Sequence, residues 1–419
     1  MGRVMRELTR EDGIPGDDLQ LTLDAGLQAY VEARMEGESA AAVVIDCATG
    51  DLLAVGNAPS FDPNLFVRGI SVPDWTALNE DIYRPLSAKA VQGAYPPGST
   101  FKMITALAAF ESGVLHPEDT VHCSGVTEVS GIRFHCWKKG GHGNVDFHDS
   151  LQFSCDCYYY EVGQRVGIEA ISAMAKKLGI GVRPAVPMSA VAEGIAPNGE
   201  WKRQMHDDVW RVGDTVNASI GQGYVLATPL QLAVMSARIA TGREVMPRLV
   251  KSVNGVEAPS GAGNPLGVNE NWLRRTRASM FDVVNAERGT AFSARILGEG
   301  RQMAGKTGTS QVRRITPEER ARGVTSNADL PWDRRDHALW VNFAPYDNPR
   351  FATAVVVEHG GGGSTAAAPI GRDITMFARW GGFPPLEAYP DNKREEAAGR
   401  MARIQAIMEG RPVPLLERA

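Results

Sequence analysis

The sequence of 419 residues predicts an α+β domain, in which a central and mainly antiparallel sheet is flanked by helices and carries an inserted helical lobe. Residues 40–55 contain two apolar runs separated by a Thr-Gly turn, which predicts a β-hairpin. Runs at 305–312, 337–344 and 351–358 predict three more strands near the other end of the chain. Because the helical patterns lie between these two groups of strands, the sheet must combine strands from both ends.

Helical patterns fill most of the remaining chain. Asp24 has the residue type preferred at an N-cap and begins the first helix. An Ala- and Leu-rich apolar run at 101–110 predicts a buried helix. The stretches 56–94 and 181–215 contain many turn residues and are predicted to be mostly irregular. In chain order, the predicted helices cover residues 24–35, 101–112, 147–166, 168–179, 228–241, 270–287 and 365–381.

Composition divides the chain into three segments. Residues 1–17 are polar and contain glycine, as is typical of a connector. Residues 18–385 contain the predicted sheet and helices and form the main domain. Residues 386–419 form a charged, helical tail without an evident apolar face. We therefore expect this tail to be a peripheral or mobile extension.

Charge and hydropathy exclude some classes of function. A net charge of −5 and a pI of about 6.0 argue against nucleic acid as the main partner. No apolar run approaches the length of about 18 residues that a membrane span requires. The first eight residues also lack the apolar centre of a signal peptide. We therefore expect the chain to be a soluble piece.

The residues Ser99 and Lys102 form the first candidate catalytic motif. Pro96, Pro97 and Gly98 interrupt the preceding structure, so that Ser99 lies in the first turn of the predicted helix. Lys102 follows one turn later on the same face. A lysine inside an apolar helix must lose its charge or find a partner, and a nearby hydroxyl suits that purpose. This spacing indicates a nucleophile beside its base, although S-x-x-K alone is a weak motif.

Two later motifs supply the other groups that acyl transfer requires. Ser154 offers a second hydroxyl at a helix start, with Asp156 two residues later. The run Lys306-Thr307-Gly308-Thr309 offers a cation and two hydroxyls on a predicted strand, with a glycine that lets a ligand approach the backbone. Each motif also has an ordinary structural interpretation: Ser154 as an N-cap, and the 306–309 run as an exposed edge strand.

The order S-x-x-K, S-x-[ND], K-T-G is the motif set of serine β-lactamases and penicillin-binding proteins. The flanking residues resemble the transpeptidase domain of class B penicillin-binding proteins at 21–28, 95–102, 221–224, 228–231 and 306–309. The run Cys136–Gly143 together with 154–156 is most similar to penicillin-binding protein 2, the elongation-specific, rod-shape branch. This resemblance implies the penicillin-binding/β-lactamase-like transpeptidase fold.

The resemblance covers about residues 3–385. It implies that residues 1–17 are the remnant of an N-terminal pedestal, with the membrane anchor missing. The family's location at the periplasmic face of the inner membrane is then expected here. The implied partners are peptidoglycan stem peptides, β-lactams, a SEDS-family glycan polymerase (RodA) and elongation-complex proteins, with no nucleic acid and no organic cofactor.

The resemblance also implies roles for the motif residues. Ser99 would attack the penultimate D-Ala carbonyl of a stem peptide, and Lys102 would take its proton. Ser154 and Lys306 would relay a proton to the leaving amine. The backbone N–H groups of Ser99 and Thr309 would form the oxyanion hole.

Substrate binding is implied for Thr307 and Thr309, which would hold the terminal carboxylate, and for Gly308 and Asp156. The wider family has Asn at the position of Asp156, whereas the elongation branch resembles this chain in having Asp. An acid between two lysines changes the local charge balance. Asp156 is therefore a weaker candidate for a substrate contact than Asn would be.

A metal hypothesis comes from the cysteines. Cys123, Cys136, His142 and Cys155 follow the pattern C-x12-C-x5-H-x12-C within a loop-rich stretch. Three thiolates and an imidazole suit a tetrahedral structural zinc site. Some members of the elongation branch hold zinc at the corresponding place, using Asp, His and Cys. A Cys123–Cys136 disulfide and buried free thiols remain alternatives, and His122 is a spare ligand candidate.

Three functions compete at this stage. The first is a peptidoglycan D,D-transpeptidase that acts in cell elongation. The second is a serine β-lactamase or β-lactam sensor on the same fold, although no segment clearly supplies the base that a β-lactamase uses to hydrolyse its acyl-enzyme. The third is a non-catalytic scaffold, which the complete set of Ser99, Lys102, Ser154 and Lys306 disfavours.

Overall fold

A computed structural model describes residues 13–414 of the chain, apart from the side chain of Pro317. Residues 1–12 of the expected pedestal remnant therefore lie outside the described residues. The strands are β1 Leu19–Leu21, β2 Ala40–Asp46, β3 Leu52–Ala58, β4 Val121–Cys123, β5 Val126–Val129, β6 Ile132–His135, β7 Gly143–Val145, β8 Val250–Val253, β9 Val256–Glu257, β10 Ala304–Ser310, β11 His337–Ala344 and β12 Phe351–Val357. The helices are α1 Ala25–Arg34, α2 Val72–Glu80, α3 Lys89–Gln92, α4 Lys102–Glu111, α5 Phe147–Gln152, α6 Asp156–Val166, α7 Ile168–Lys177, α8 Gly199–His206, α9 Val212–Ala218, α10 Pro229–Thr241, α11 Glu270–Asn285, α12 Pro317–Arg322, α13 Ala368–Trp380 and α14 Arg394–Met408.

The central sheet has the order β10-β11-β12-β2-β3, and every neighbouring pair is antiparallel. This confirms the predicted sheet with strands from both ends of the chain. Successive side chains of a strand point to opposite faces, so β2 contributes to two cores. Val43 and Ile45 pack towards α4 and α10, whereas Val44 packs towards α1 and α13. The edge strand β10 carries the 306–309 motif.

The structure divides one predicted helix and adds others. The continuous helix expected at 147–166 is two helices, α5 and α6, separated at residues 153–155. Ser154 has a φ of 55°, which no helical residue adopts, so the helix must break there. The segment 181–215, predicted to be irregular, contains α8 and the first residues of α9. Both helices are short and carry many polar residues. Their sequences therefore show no clear helical periodicity of apolar residues.

The C-terminal helix α14 is not a loose extension, as its charged sequence led us to expect. Ala397 and Ile404 are buried in the core that also contains α1 and α13, and Ala406 is buried as well. Arg403 forms an ion pair at 2.7 Å with Glu36, which lies just after the end of α1. The buried residues of α14 are few, and two of the three are alanine. The charged residues around them therefore obscure the apolar face in the sequence. None of the helices within 13–414 combines the length and apolarity needed to cross a bilayer.

Candidate active site

Ser99 lies on a short 3₁₀ turn, Gly98–Phe101, that leads directly into α4. Gly98 has a φ of 53°, and a Cβ atom at this position would overlap the carbonyl oxygen of Thr309. The Gly98 N–H donates to the Gly221 carbonyl at 2.9 Å. Only a glycine at position 98 can therefore bring the Ser99 turn (Gly98–Phe101) this close to strand β10.

Lys102 is completely buried on the first turn of α4. Its ammonium donates to the Ser154 carbonyl oxygen at 2.8 Å, to Ser154 Oγ at 3.3 Å and to Asp156 Oδ1 at 2.8 Å. These three oxygens compensate for the water that the ammonium loses on burial. The lysine of the first motif is thus held by the residues of the second.

The Ser154 hydroxyl lies between two buried lysines. Lys306 Nζ donates to Ser154 Oγ at 2.9 Å, opposite the longer contact from Lys102. The positive φ of Ser154, between α5 and α6, turns its hydroxyl towards both ammonium groups. Backbone strain of this kind in a non-glycine residue is typical of functional sites. The three motifs therefore meet at one hydroxyl.

Strand β10 brings the third motif to the open edge of the sheet. Lys306 is fully buried, and its burial, together with the nearby Lys102, holds the pKa of Lys306 well below its ordinary value. Gly308 faces the Ser99 turn, and a Cβ on Gly308 would lie 2.9 Å from Pro97 O and from Thr100 Cγ2. Thr309 is exposed at the same edge.

Asp156 carries the negative charge of the site. Its Oδ1 accepts from Lys102 and its Oδ2 accepts from the Trp137 backbone N–H at 2.9 Å. Burial raises the pKa of Asp156, and the Lys102 ammonium opposes that shift. Both carboxylate oxygens of Asp156 are therefore engaged within the protein, one of them by the Lys102 ammonium.

Two side chains of the site had no predicted role in the sequence. The Trp137 indole N–H donates to the carbonyl oxygens of Phe153 and Ser154 at 3.0 and 3.1 Å, which fixes the break between α5 and α6. Thr290 Oγ1 lies 2.9 Å from Thr307 Oγ1. Neither contact has a local sequence signal, because each joins segments at least sixteen residues apart.

A cluster of metal-ligand residues lies beside this site. One donor atom from each of Cys123, Cys136, His142 and Cys155 falls within 4.8 Å of all the others. His142 Nδ1 is 3.6 Å from the Sγ atoms of both Cys123 and Cys136. The five cysteines, all in the described part, are unpaired, so the structure contains no Cys123–Cys136 disulfide.

The electrostatics of the cluster favour a thiolate. Hydrogen bonds from the Cys155 and Cys157 thiols lower the pKa of Cys136 far below its ordinary value. The Cys136 sulfur also accepts the Asp156 N–H at 3.4 Å. His122, the spare candidate, lies elsewhere, with its Nδ1 2.8 Å from Asn144 Oδ1. The cluster and the catalytic motifs therefore share the residues around Ser154.

The fold and these motifs can be compared with known proteins. Residues 40–376 match the family model of the penicillin-binding protein transpeptidase domain, and the chain belongs to that family. It is similar to penicillin-binding protein 2 in particular. A crystal structure of Pseudomonas aeruginosa PBP2 in complex with WCK 5153 has a TM-score of 0.77 and 35% identity, covering 91% of this chain and 80% of that one.

Two other relatives give the same result. The curated peptidoglycan D,D-transpeptidase MrdA of Acinetobacter baumannii is 38% identical over 379 residues, which cover 88% of this chain. This chain spans only 55% of that relative's length. The complex between PBP2 and MreC from Helicobacter pylori contains a chain with a TM-score of 0.77 and 33% identity, covering 87% of this chain and 64% of that one.

Proposed function

We propose that the chain is the transpeptidase part of an elongation-specific peptidoglycan D,D-transpeptidase. The observation that carries this proposal is the Ser154 hydroxyl, which accepts hydrogen bonds from both Lys102 and Lys306. A hydroxyl between two desolvated amines can pass a proton from one to the other. Ser99 lies one helical turn before Lys102, which is the position expected of a nucleophile that gives its proton to this relay.

Acylation follows from these positions. Lys102 first releases a proton to Asp156, whose pKa is raised by burial. The neutral amine then accepts the hydroxyl proton as Ser99 Oγ attacks the penultimate D-Ala carbonyl. The N–H groups of Ser99 and Thr309 hold the oxyanion of the tetrahedral intermediate. The C–N bond then breaks, and a proton passed through Ser154 and Lys306 leaves with the terminal D-Ala amine. Burial and the nearby Lys102 lower the pKa of Lys306, which makes its ammonium group a better proton donor than an exposed lysine.

The second half of the reaction uses the same groups in reverse. An amine from a second stem peptide attacks the carbonyl carbon of the Ser99 ester and loses a proton to the relay. The C–O bond to Ser99 then breaks, the relay returns the proton to Ser99 Oγ, and the new amide is the cross-link. During the first half, before the terminal D-Ala leaves, Thr307 and Thr309 hold the carboxylate of the donor peptide, and Gly308 lets the peptide backbone approach β10. β-Lactams imitate the D-Ala-D-Ala end and acylate Ser99.

The partners and location of the whole protein belong to the same proposal. MreC accompanies the Helicobacter pylori relative, which supports an elongation complex for this chain. We further assign it a SEDS-family glycan polymerase (RodA) as partner, and a place at the periplasmic face of the inner membrane in rod-shape maintenance. Co-purification of the full-length protein with the polymerase tests this assignment.

Penicillin labelling distinguishes the competing functions. We expect mass spectrometry to find one penicillin on Ser99, and none on a Ser99→Ala variant. A slow or single-burst reaction with nitrocefin is expected, whereas rapid turnover would indicate a β-lactamase. Absence of any covalent adduct would contradict both enzymatic functions, and the non-catalytic scaffold would then be the remaining function.

We also propose a structural zinc ion bound by Cys123, Cys136, His142 and Cys155. Tetrahedral zinc with Zn–S of about 2.3 Å and Zn–N of about 2.05 Å separates sulfur and nitrogen by about 3.6 Å. That is the separation of His142 Nδ1 from two of the sulfurs. These two distances and the chemistry of the donor set suit zinc, and the ion would stabilise the loops around Ser154.

Metal analysis of protein purified without chelator tests the zinc site. We expect about one equivalent of zinc, lost in Cys136→Ser and retained in Cys47→Ser, because Cys47 lies outside the cluster. Chelator should lower the melting temperature of the parent protein. Protein without stoichiometric metal, in which Cys123 and Cys136 are oxidised together, would contradict the proposal.

A further inference from the structure

A short loop, Gly221–Gly223, joins the two elements that supply the proposed oxyanion hole. The Gly221 carbonyl accepts the N–H of Gly98, next to Ser99, at 2.9 Å. The adjacent Gln222 side chain donates from Nε2 to the Thr309 carbonyl oxygen at 3.1 Å. Consecutive residues of one loop therefore bond to the nucleophile turn and to the edge of β10.

The contact with Gln222 determines where the Thr309 N–H points. In a β-strand, the N–H and C=O of one residue point towards the same side of the strand. The Thr309 carbonyl faces Gln222, on the edge of β10 away from β11, and the Thr309 N–H must face that edge too. Gln222 thus bonds to the Thr309 carbonyl oxygen and leaves the Thr309 N–H directed towards the open edge of β10.

The spacing of these elements leaves little tolerance. Cβ atoms placed at Gly98 or Gly221 would overlap backbone atoms of the neighbouring segment, so the three segments are in direct backbone contact. Gly221 and Gly223 both have a φ of 70°, and the Gln222 N–H donates to the Asn217 carbonyl at 3.0 Å. The loop conformation therefore fixes the direction in which Gln222 points.

We propose that Gln222 is a positioning residue for the oxyanion hole. Its amide holds the end of β10 at the separation from the Ser99 turn at which both N–H groups reach one oxygen. Gln222 is only half buried, so its polar amide is not needed to fill a core. This inference rests on the proposed acyl transfer at Ser99.

The test compares variants that keep or remove the amide donor. Gln222→Met preserves the length of the side chain without an N–H, and Gln222→Ala removes both. Gln204→Met is the matched control, because Gln204 donates only to Glu200 one turn away on the surface of α8. Two quantities are measured with a slow-deacylating β-lactam: the acylation rate constant, separated from binding, and the carbonyl stretching frequency of the acyl-enzyme.

Removing one oxyanion donor costs an enzyme about 100-fold or more in rate, and misplacing one costs part of that. We therefore expect about a tenfold loss in acylation rate for both Gln222 variants, with little change in the dissociation constant. The ester carbonyl should move to a higher wavenumber, because it is polarised less. Gln204→Met should match the parent in both measurements.

The proposal is overturned if Gln222→Met acylates at the parent rate, or if the carbonyl frequency stays unchanged while the rate falls. The second outcome would assign Gln222 to loop packing alone. A variant of lowered stability is still informative, because the frequency is read from the fraction that acylates. Absence of labelling in the parent protein would instead contradict the transpeptidase function, and so the two failures are distinguishable.

Discussion

The ion pair between Lys102 and Asp156 offers a quantitative test of how the first two motifs are held together. The Lys102 side chain is fully buried and that of Asp156 is 12% exposed, with Nζ and Oδ1 2.8 Å apart. The perturbation is a double-mutant cycle of Lys102→Met and Asp156→Asn. Met keeps the volume of lysine without its charge, and Asn keeps the shape of the carboxyl group.

The expected magnitude follows from the separation of the charges. Two unit charges at 2.8 Å attract by about 6 kcal/mol at an effective permittivity of about 20, before desolvation is subtracted. Removing one partner leaves the other charged and buried, which costs about 3–5 kcal/mol in unfolding free energy. The amide introduced by Asp156→Asn would also have one acceptor oxygen for two donors, Lys102 and the Trp137 N–H.

Chemical unfolding of the four proteins measures the coupling energy. We expect each single variant to lose about 3–5 kcal/mol and the double variant to lose less than the sum by about 2–3 kcal/mol. The control cycle uses Glu161 and Arg165, whose side chains are 42% and 38% exposed and should couple by at most about 0.5 kcal/mol. Strictly additive losses at Lys102 and Asp156 would refute the view that they compensate each other.

Three further predictions concern stability. Burial and, to a lesser extent, the nearby His359 lower the pKa of His337 from 6.5 to about 4, and the His337 Nδ1 accepts the backbone N–H of His359. The stability that neutral His337 contributes, up to about 3 kcal/mol, is present above pH 6.5 and is lost as the pH falls through 4. The variant His337→Asn should flatten this part of the plot of unfolding free energy against pH, and an unchanged slope would contradict the prediction. Gly371→Ala should lower the melting temperature, because its Cβ would overlap the Trp340 ring, and normal stability would mean that the ring can move aside. Removing residues 394–419 should cost about 3–5 kcal/mol by exposing the face of α1 that α14 covers, and an unchanged unfolding curve would restore the expectation of a peripheral tail.

The sheet and the motif residues were within reach of sequence analysis because their signals are local. The apolar runs that became β2, β11 and β12 are almost entirely buried strands, and uninterrupted hydrophobic runs of that length indicate such strands directly. Ser99 and Lys102 lie one helical turn apart, a spacing that sequence numbering itself supplies. Fold class and candidate residues could therefore be predicted before any distance was known.

The breaks and long-range contacts could not be predicted in this way. The helix break at Ser154 depends on the Trp137 indole, seventeen residues earlier, which occupies the carbonyls that the break frees. The helical periodicity of 147–166 continues across the break and conceals it. The role of Gln222 depends on a partner, Thr309, that is 87 residues away. A backbone carbonyl can be supplied by any residue type, so the sequence contains no complementary pattern to find.

The connection between the cysteine cluster and Lys102, the proposed base, runs through adjacent residues. Cys155 supplies a proposed zinc ligand, and Asp156 next to it supplies the counter-ion of Lys102. The Asp156 N–H also donates to the Cys136 sulfur, while its Oδ2 accepts the N–H of Trp137. Any movement of the cluster must therefore move the carboxylate that holds Lys102. Loss of zinc should then slow acylation of Ser99 even in protein that remains folded, and an unchanged acylation rate in folded, metal-free protein would show that the hydrogen bonds alone maintain the site.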